Sequence, residues 1–285
     1  MSESCNSCSA AGTCTTTDSC SSEPKVTEAQ KASHVGKVIA VMSGKGGVGK
    51  SSVTSMLAVS LMSQGYKVGV LDADITGPSI PKIFGVTGRA GVGEAGILPS
   101  KSRDGVKLMS LNLMIETEDD PVILRGPLIT QIVNQFWTEV IWGELDYLLI
   151  DLPPGTGDVP ITVFQSLPID GVVMVTSPQA LANMVVRKAI KMVRKYEPHI
   201  YGLIENMAYV QCPDCTKRIE IFGKPKGDEE AKRNSIPYLG ELAIDPLLAE
   251  LSDAGKIEDY QSPAFDQIAK RLAEQIKINS DKDLA

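Results

Sequence analysis

No apolar run in this 285-residue chain approaches the roughly 18 residues that a bilayer-spanning helix requires. The N-terminus also lacks the apolar core of a secretory signal. A soluble, cytoplasmic protein is therefore expected. The formal net charge is −7, and no Lys/Arg cluster stands out. Non-specific nucleic-acid binding rests on phosphate neutralisation, so neither nucleic acid nor membrane is expected as a partner. No internal repeat is evident, which sets repeat architectures aside. Large apolar residues are scarce in the first 35 positions. That segment cannot build a core and reads as a flexible tail in the absence of metal.

Against these absences stands Gly44-Lys45-Gly46-Gly47-Val48-Gly49-Lys50-Ser51, which satisfies the phosphate-loop pattern G-x-x-x-x-G-K-[ST]. Its flanks are of the required kind. Lys37 to Ser43 is a short apolar run suited to a buried parallel strand. Ser51 to Met62 has no Gly or Pro, repeats Val53, Leu57 and Leu61 at helical spacing, and is followed by Gly65 as a stop. Amides at that helix start would face phosphates. The nucleotide-binding set expected here is Gly44 through Ser51 with Ser52, with Lys50 reaching the β/γ-phosphates and the Ser51 hydroxyl on Mg²⁺. The second lysine, Lys45, lies across the turn and is expected to point toward a partner subunit. A cation supplied in trans acts as an arginine finger does. The loop thus suggests a nucleotide hydrolase that works as a dimer.

The next strand ends in Asp72-Ala73-Asp74. Carboxylates at such a strand end face the ligand crevice, so one could orient the attacking water (Asp74) and the other join the magnesium shell (Asp72). Turn or helix-cap roles are the plain alternative, because Gly77-Pro78-Ser79 follows. Asp146 to Asp151 is four apolar residues leading into an acid, and Asp151 would hold Mg²⁺ through water. The stretch Leu152-Pro153-Pro154-Gly155-Thr156-Gly157-Asp158 reads as a switch loop. Asp158 either links nucleotide state to a dimer interface or caps a helix running from Val159 to Leu167.

Strands are expected near 37–43, 66–71, 107–111, 121–124, 146–151, 171–176, 200–206 and 236–240. Helices are expected from Pro127 to Ile141, Pro178 to Tyr196 and Pro263 to Ile278, each with proline at or near its start. This alternation predicts an α/β fold, a doubly wound and mostly parallel sheet with helices on both faces. The expected organisation is a tail over 1–35 and a phosphate-loop ATPase domain over 36–280, with an insertion near 208–226.

That insertion carries Cys212-Pro213-Asp214-Cys215. Two thiolates at this spacing provide half of a four-thiolate site, and no second such pair exists in the core. A dimer would supply it by symmetry on the two-fold axis. Iron–sulfur, shared zinc and a redox pair all remain open on the residues alone. In the tail, Cys5, Cys8, Cys14 and Cys20 could wrap one cluster, although their spacing matches no ferredoxin pattern. An adventitious Cys-rich tail is the alternative.

Taken together, the loop, Asp72-Ala73-Asp74-Ile75, Gly77-Pro78-Ser79-Ile80-Pro81, Arg125-Gly126-Pro127, Trp142 to Tyr147, Asp151 to Asp158, Ser177-Pro178-Gln179, Gly202 to Met207 and the Cys212/Cys215 pair resemble one family. It is the Mrp/ApbC family of iron–sulfur cluster carrier ATPases, in the deviant-Walker-A class that includes MinD, ParA and the nitrogenase iron protein. The resemblance covers roughly residues 36–275. It implies ATP binding and slow hydrolysis, and a homodimer holding a [4Fe–4S] cluster through Cys212 and Cys215 of both protomers. It further implies cluster transfer to apo-proteins and a place for Asn206 near the adenine, where a strand-end cap is the alternative. Cys5, Cys8 and Cys14 reproduce part of the tail motif of the eukaryotic cytosolic scaffold ATPases. There the fourth cysteine lies upstream, whereas Cys20 lies downstream.

Two other functions compete. A positioning ATPase of the MinD or ParA type would bind membrane or DNA. The last helix, with Phe265, Ile268, Leu272 and Ile276 on one face, instead reads as packed on its own domain. A reductase like the nitrogenase iron protein would also share a cluster between protomers, but with cysteines not arranged as C-x-x-C.

Overall fold

The computed structural model describes residues 26–74, 77, 79–114 and 126–283. Cys5, Cys8, Cys14 and Cys20, the strand expected at 121–124, and Ile75, Pro78 and Arg125 lie outside them.

In chain order the elements are α1 (Glu28–Lys31), β1 (His34–Ser43), α2 (Lys50–Ser63), β2 (Val68–Asp72), α3 (Ile80–Ile83), the hairpin β3 (Gly91–Gly93) and β4 (Gly96–Leu98), β5 (Ser100–Lys101) and β6 (Lys107–Ser110). Then come α4 (Gly126–Thr138), β7 (Glu144–Asp151), α5 (Asp158–Ser166), β8 (Gly171–Thr176), α6 (Ala180–Val193), β9 (His199–Gln211), β10 (Arg218–Ile219), α7 (Gly227–Arg233), β11 (Tyr238–Ile244), α8 (Pro246–Asp253) and α9 (Pro263–Asp283). Among the described residues, α1 and the start of β1 precede residue 36. Thr27 closes a capping box on α1, Ala29 is buried, and β1 already pairs from His34. Pro178 does not open α6, which starts at Ala180 with Gln179 as its N-cap.

Among the described residues the main sheet runs β10-β9-β8-β1-β7-β2-β6-β5, with β11 also paired to β9. Only the short β5 and β10 run antiparallel to their neighbours. After β6 the chain returns to place β7 between β1 and β2, then β8 on the other flank of β1. The order reverses beside β1, and ligands bind at such a switch point, outside the carboxyl ends of the strands.

Side chains on the central strands alternate between two cores, as the two-residue period requires. Ile39 and Val41 of β1, Tyr147 and Leu149 of β7, and Val173 and Val175 of β8 pack with α2, α3 and α9. Val38, Ala40 and Met42, Leu148 and Ile150, and Val172 and Met174 pack on the other face with α4, α5 and α6. Both faces are covered, so these strands are apolar throughout. Phe265, Ile268, Leu272 and Ile276 are buried in the first of these cores. No helix among the described residues is long and apolar enough to cross a membrane.

Candidate functional site

The phosphate loop joins β1 to α2 at the carboxyl end of the sheet, where Asp72 and Asp151 stand side by side on β2 and β7. Gly49 is the N-cap of α2 at φ 74° and must be glycine on two counts. A side chain disfavours the left-handed region, and a Cβ here would meet Asn206 Nδ2 at 2.4 Å. Asn206, buried within β9, donates from Nδ2 to the Val48 carbonyl at 2.9 Å. The structure thus places Asn206 against the loop backbone.

Asp151 is the centre of the site. It is fully buried, and it accepts from Ser51 Oγ at 2.6 Å and from Thr54 Oγ1 at 2.7 Å. Lys50 Nζ lies 2.8 Å from Asp151 Oδ1 as an ion pair without hydrogen-bond geometry, leaving a buried ammonium with no hydrogen-bond acceptor of its own. A buried cation in that condition fits an anionic oxygen such as a phosphate oxygen.

Asp72 is also buried. Oδ1 accepts from the Asp74 amide at 3.1 Å, and Oδ2 from the Ser79 and Ile80 amides at 3.0 and 3.1 Å. Burial, and then the neighbouring Asp151 charge, push its pKa up to about 8, against the opposing pull of the Ile80 amide, Lys50 and the Asp74 amide. Two buried carboxylates thus face one ammonium. With the Ser51 hydroxyl they form a set of hard oxygen donors, which is the set magnesium takes.

A cavity of about 530 Å³ opens over the loop, with Asp74 on its wall. Lys45 is exposed at its mouth and donates from Nζ to Gln179 Oε1 at 3.3 Å, away from the Lys50–Asp151 pair. Pro154 also lines the cavity, and the Gly155 amide donates to the Ser43 carbonyl at 2.9 Å, so the 152–158 stretch lies against the loop's root. Asp158 is exposed as the first residue of α5, whose N-cap is Gly157, so its carboxylate is not the cap. The opposite wall was not anticipated. Lys82 of α3 and Ser252 and Asp253 of α8 line it, brought together only by the packing of those two helices. Thr54 was missed too, although a polar pair, Thr54-Ser55, amid Val53 and Met56-Leu57 was a signal.

Cys212 and Cys215 sit on the turn between β9 and β10. The Cys212 amide donates to the Lys217 carbonyl at 2.9 Å, and the Thr216 amide to the Cys212 carbonyl at 3.0 Å. Cys215 is exposed and Cys212 half-buried. Amides of Cys215 and Asp214 aim at the Cys212 sulfur and lower its pKa, favouring the thiolate that binds metal. Among the described residues no third metal-ligating side chain joins the pair. The donor set therefore fits half of a four-thiolate site.

With this geometry in view, similarity to known proteins is informative. The family model described as ParA, NUBPL iron-transfer P-loop NTPase, matches residues 34–277. The chain belongs to the Mrp/ApbC family of P-loop ATPases. It is 43% identical over 282 residues to the iron–sulfur cluster carrier protein of Clostridium perfringens, covering 94% of this chain and 99% of that one. It is 41% identical over 256 residues to the cytosolic Fe-S cluster assembly factor CFD1 of Saccharomyces cerevisiae, covering 84% and 87%. Among solved structures, the nucleotide-binding protein of Archaeoglobus fulgidus in complex with ADP superposes with a TM-score of 0.75 at 44% identity, over 85% of this chain and 96% of that one. MinD of Pyrococcus furiosus superposes at 0.64 with 21% identity, over 84% and 99%, and shows the shared fold alone.

Proposed function

We propose that this protein is an ATP-dependent scaffold and carrier of iron–sulfur clusters, which holds a [4Fe–4S] cluster between two copies of the chain and passes it to apo-proteins. The observation that carries the reading is the solvent-facing Cys212/Cys215 pair, half of a four-thiolate set, in a chain whose relatives are named as an iron–sulfur cluster carrier and a cluster assembly factor. The cluster is cargo, so its thiols stand at the surface on a turn, where an acceptor can reach it. The two-fold partner supplies the other two thiolates.

The nucleotide half of the work belongs to the buried end of the sheet. Loop amides and Lys50 take the phosphates of ATP, and Asp74 orients the attacking water. Magnesium, held through Ser51, Asp151 and Asp72, would neutralise charge developing on the transferred phosphoryl group. Lys45, free of the Lys50–Asp151 pair, serves the site of the partner subunit.

The test is anaerobic reconstitution of the full chain with iron and sulfide. A variant with Cys5, Cys8, Cys14 and Cys20 all replaced by alanine should retain about four iron and four sulfide per dimer, with the absorption of a [4Fe–4S] cluster. Adding Cys212→Ala and Cys215→Ala should abolish both. Undiminished iron in that second variant would remove the bridging site.

A further inference from the structure

Residues 205–207 of β9 face two ways. Glu205 is buried; Oε1 accepts from the Lys226 amide at 3.0 Å and Oε2 from the Gly227 amide at 2.8 Å. Those amides belong to the chain as it returns from the cysteine hairpin into α7. Asn206 holds the Val48 carbonyl. Met207 adopts φ 58°, the left-handed region that a side chain disfavours, and its Cε lies 3.4 Å from where a Gly49 Cβ would stand. Asn206 therefore bonds the phosphate loop, Met207 stands beside it, and Glu205 bonds the far root of the cysteine hairpin.

The same place is one of three where β9 shifts register against its neighbours, and the one where β9 rather than β11 carries the additional residues against that strand. Glu205 pairs with Glu241, and the next pairs are Tyr209 with Ala243 and Val210 with Ile244. Between the first two pairs β9 advances four residues while β11 advances two. The additional residues include Met207. Beyond them β9 continues straight to Cys212, five residues on. There it pairs Val210 and Gln211 with Ile219 and Arg218 of β10, and the Arg218 guanidinium stacks 3.7 Å over the Tyr209 ring and pairs with Glu241 at 2.6 Å. The 152–158 stretch also meets the loop, but the chain then enters α5.

We propose that the irregular stretch of β9 at Met207 couples the phosphate loop mechanically to the cysteine hairpin. A change at the Val48–Gly49 peptide on nucleotide binding moves Asn206 and Met207, and the additional residues let the strand beyond them shift against β10 and β11. Met207 is the positioning residue. Bulges re-aim a strand next to a site, and left-handed strain at a non-glycine residue persists only where its surroundings enforce it. The proposal rests on the nucleotide half of the proposed function and needs no cluster, so loss of iron binding would leave it standing.

Backbone hydrogen exchange on the reduced, cluster-free full chain tests it, with and without magnesium and a non-hydrolysable ATP analogue. In the unaltered protein the analogue should slow exchange at 44–52 and also, on the order of tenfold, at 208–219. Met207→Ala shortens the side chain beside Gly49, and Met207→Gly also frees the backbone. Both should bind the analogue within about threefold of the unaltered protein and keep protection at 44–52, while the response at 208–219 falls below about twofold. Asp158→Ala should leave the response at 208–219 intact. The proposal is overturned if the hairpin of the unaltered protein ignores the nucleotide, or if both Met207 variants transmit it fully. It is equally overturned if both lose nucleotide affinity, or if Asp158→Ala alone abolishes transmission.

Discussion

The two ends of this site are built to opposite standards. At the phosphate loop, Asp151 is buried and already bonded to Ser51 and Thr54, with Lys50 beside it and Asp72 alongside. At the cysteine hairpin, Cys212 and Cys215 stand on a surface turn, and the described residues offer two thiols and nothing further. A preorganised, dehydrated pocket is suited to charge that develops only briefly, as in phosphoryl transfer. An exposed half-site is suited to something that must be received and released. The difference therefore separates a buried, internally bonded charge cluster from an exposed, incomplete pair of thiols.

The comparison is sharpened most by Lys45, which belongs to the first region by sequence yet stands outside its ion pair. Lys45→Ala should leave the dissociation constant for ATP within about twofold and lower the turnover rate by about 10³, the scale of a cation supplied in trans. Equilibrium titration beside a phosphate-release assay checks it, and an equal loss of binding would end the trans role. Lys50→Ala should do the reverse, weakening binding by on the order of 100-fold, because a buried charge loses its partner. It also leaves Asp151 without its cation, so urea unfolding of the nucleotide-free protein should report a loss of about 3 kcal/mol.

The smallest effect concerns pH. Burial raises the pKa of Glu205, against the pull of the Lys226 and Gly227 amides. A carboxyl group whose folded pKa is raised binds more protons folded than unfolded. Its favourable contribution is therefore complete below the ordinary Glu value of about 4.3 and is lost as pH rises through the raised one. Glu205→Gln should flatten this part of the stability profile, from the ordinary Glu range upward. Urea midpoints compared across that range measure it, and parallel profiles would show that Glu205 does not titrate there.

Legibility in the sequence followed the same division. The strand, loop and helix around Lys50 lie within one continuous stretch, so spacing alone exposed them. Asp72 and Asp151 could be read because each ends an apolar strand. What escaped was whatever depends on packing between distant segments. Lys82 and Asp253 line one cavity only because α3 and α8 pack together. Glu205 looked like part of a strand, yet its carboxylate is committed to two amides beyond the cysteine hairpin. The irregularity at Met207 had no local signal, since nothing in its neighbours prescribes a left-handed residue.

Gly44 sets a limit on how the phosphate loop can yield. A Cβ there would stand 2.5 Å from the Val186 amide nitrogen and 2.6 Å from the Val185 carbonyl carbon of α6. The loop's first residue, at the end of β1, thus lies directly against the backbone of α6, with no room between them for a side chain. The loop behaves like a flap sewn along one edge. Its root cannot move toward α6 without displacing that helix, and open space is left around Gly47, where an added Cβ would meet nothing within 4 Å.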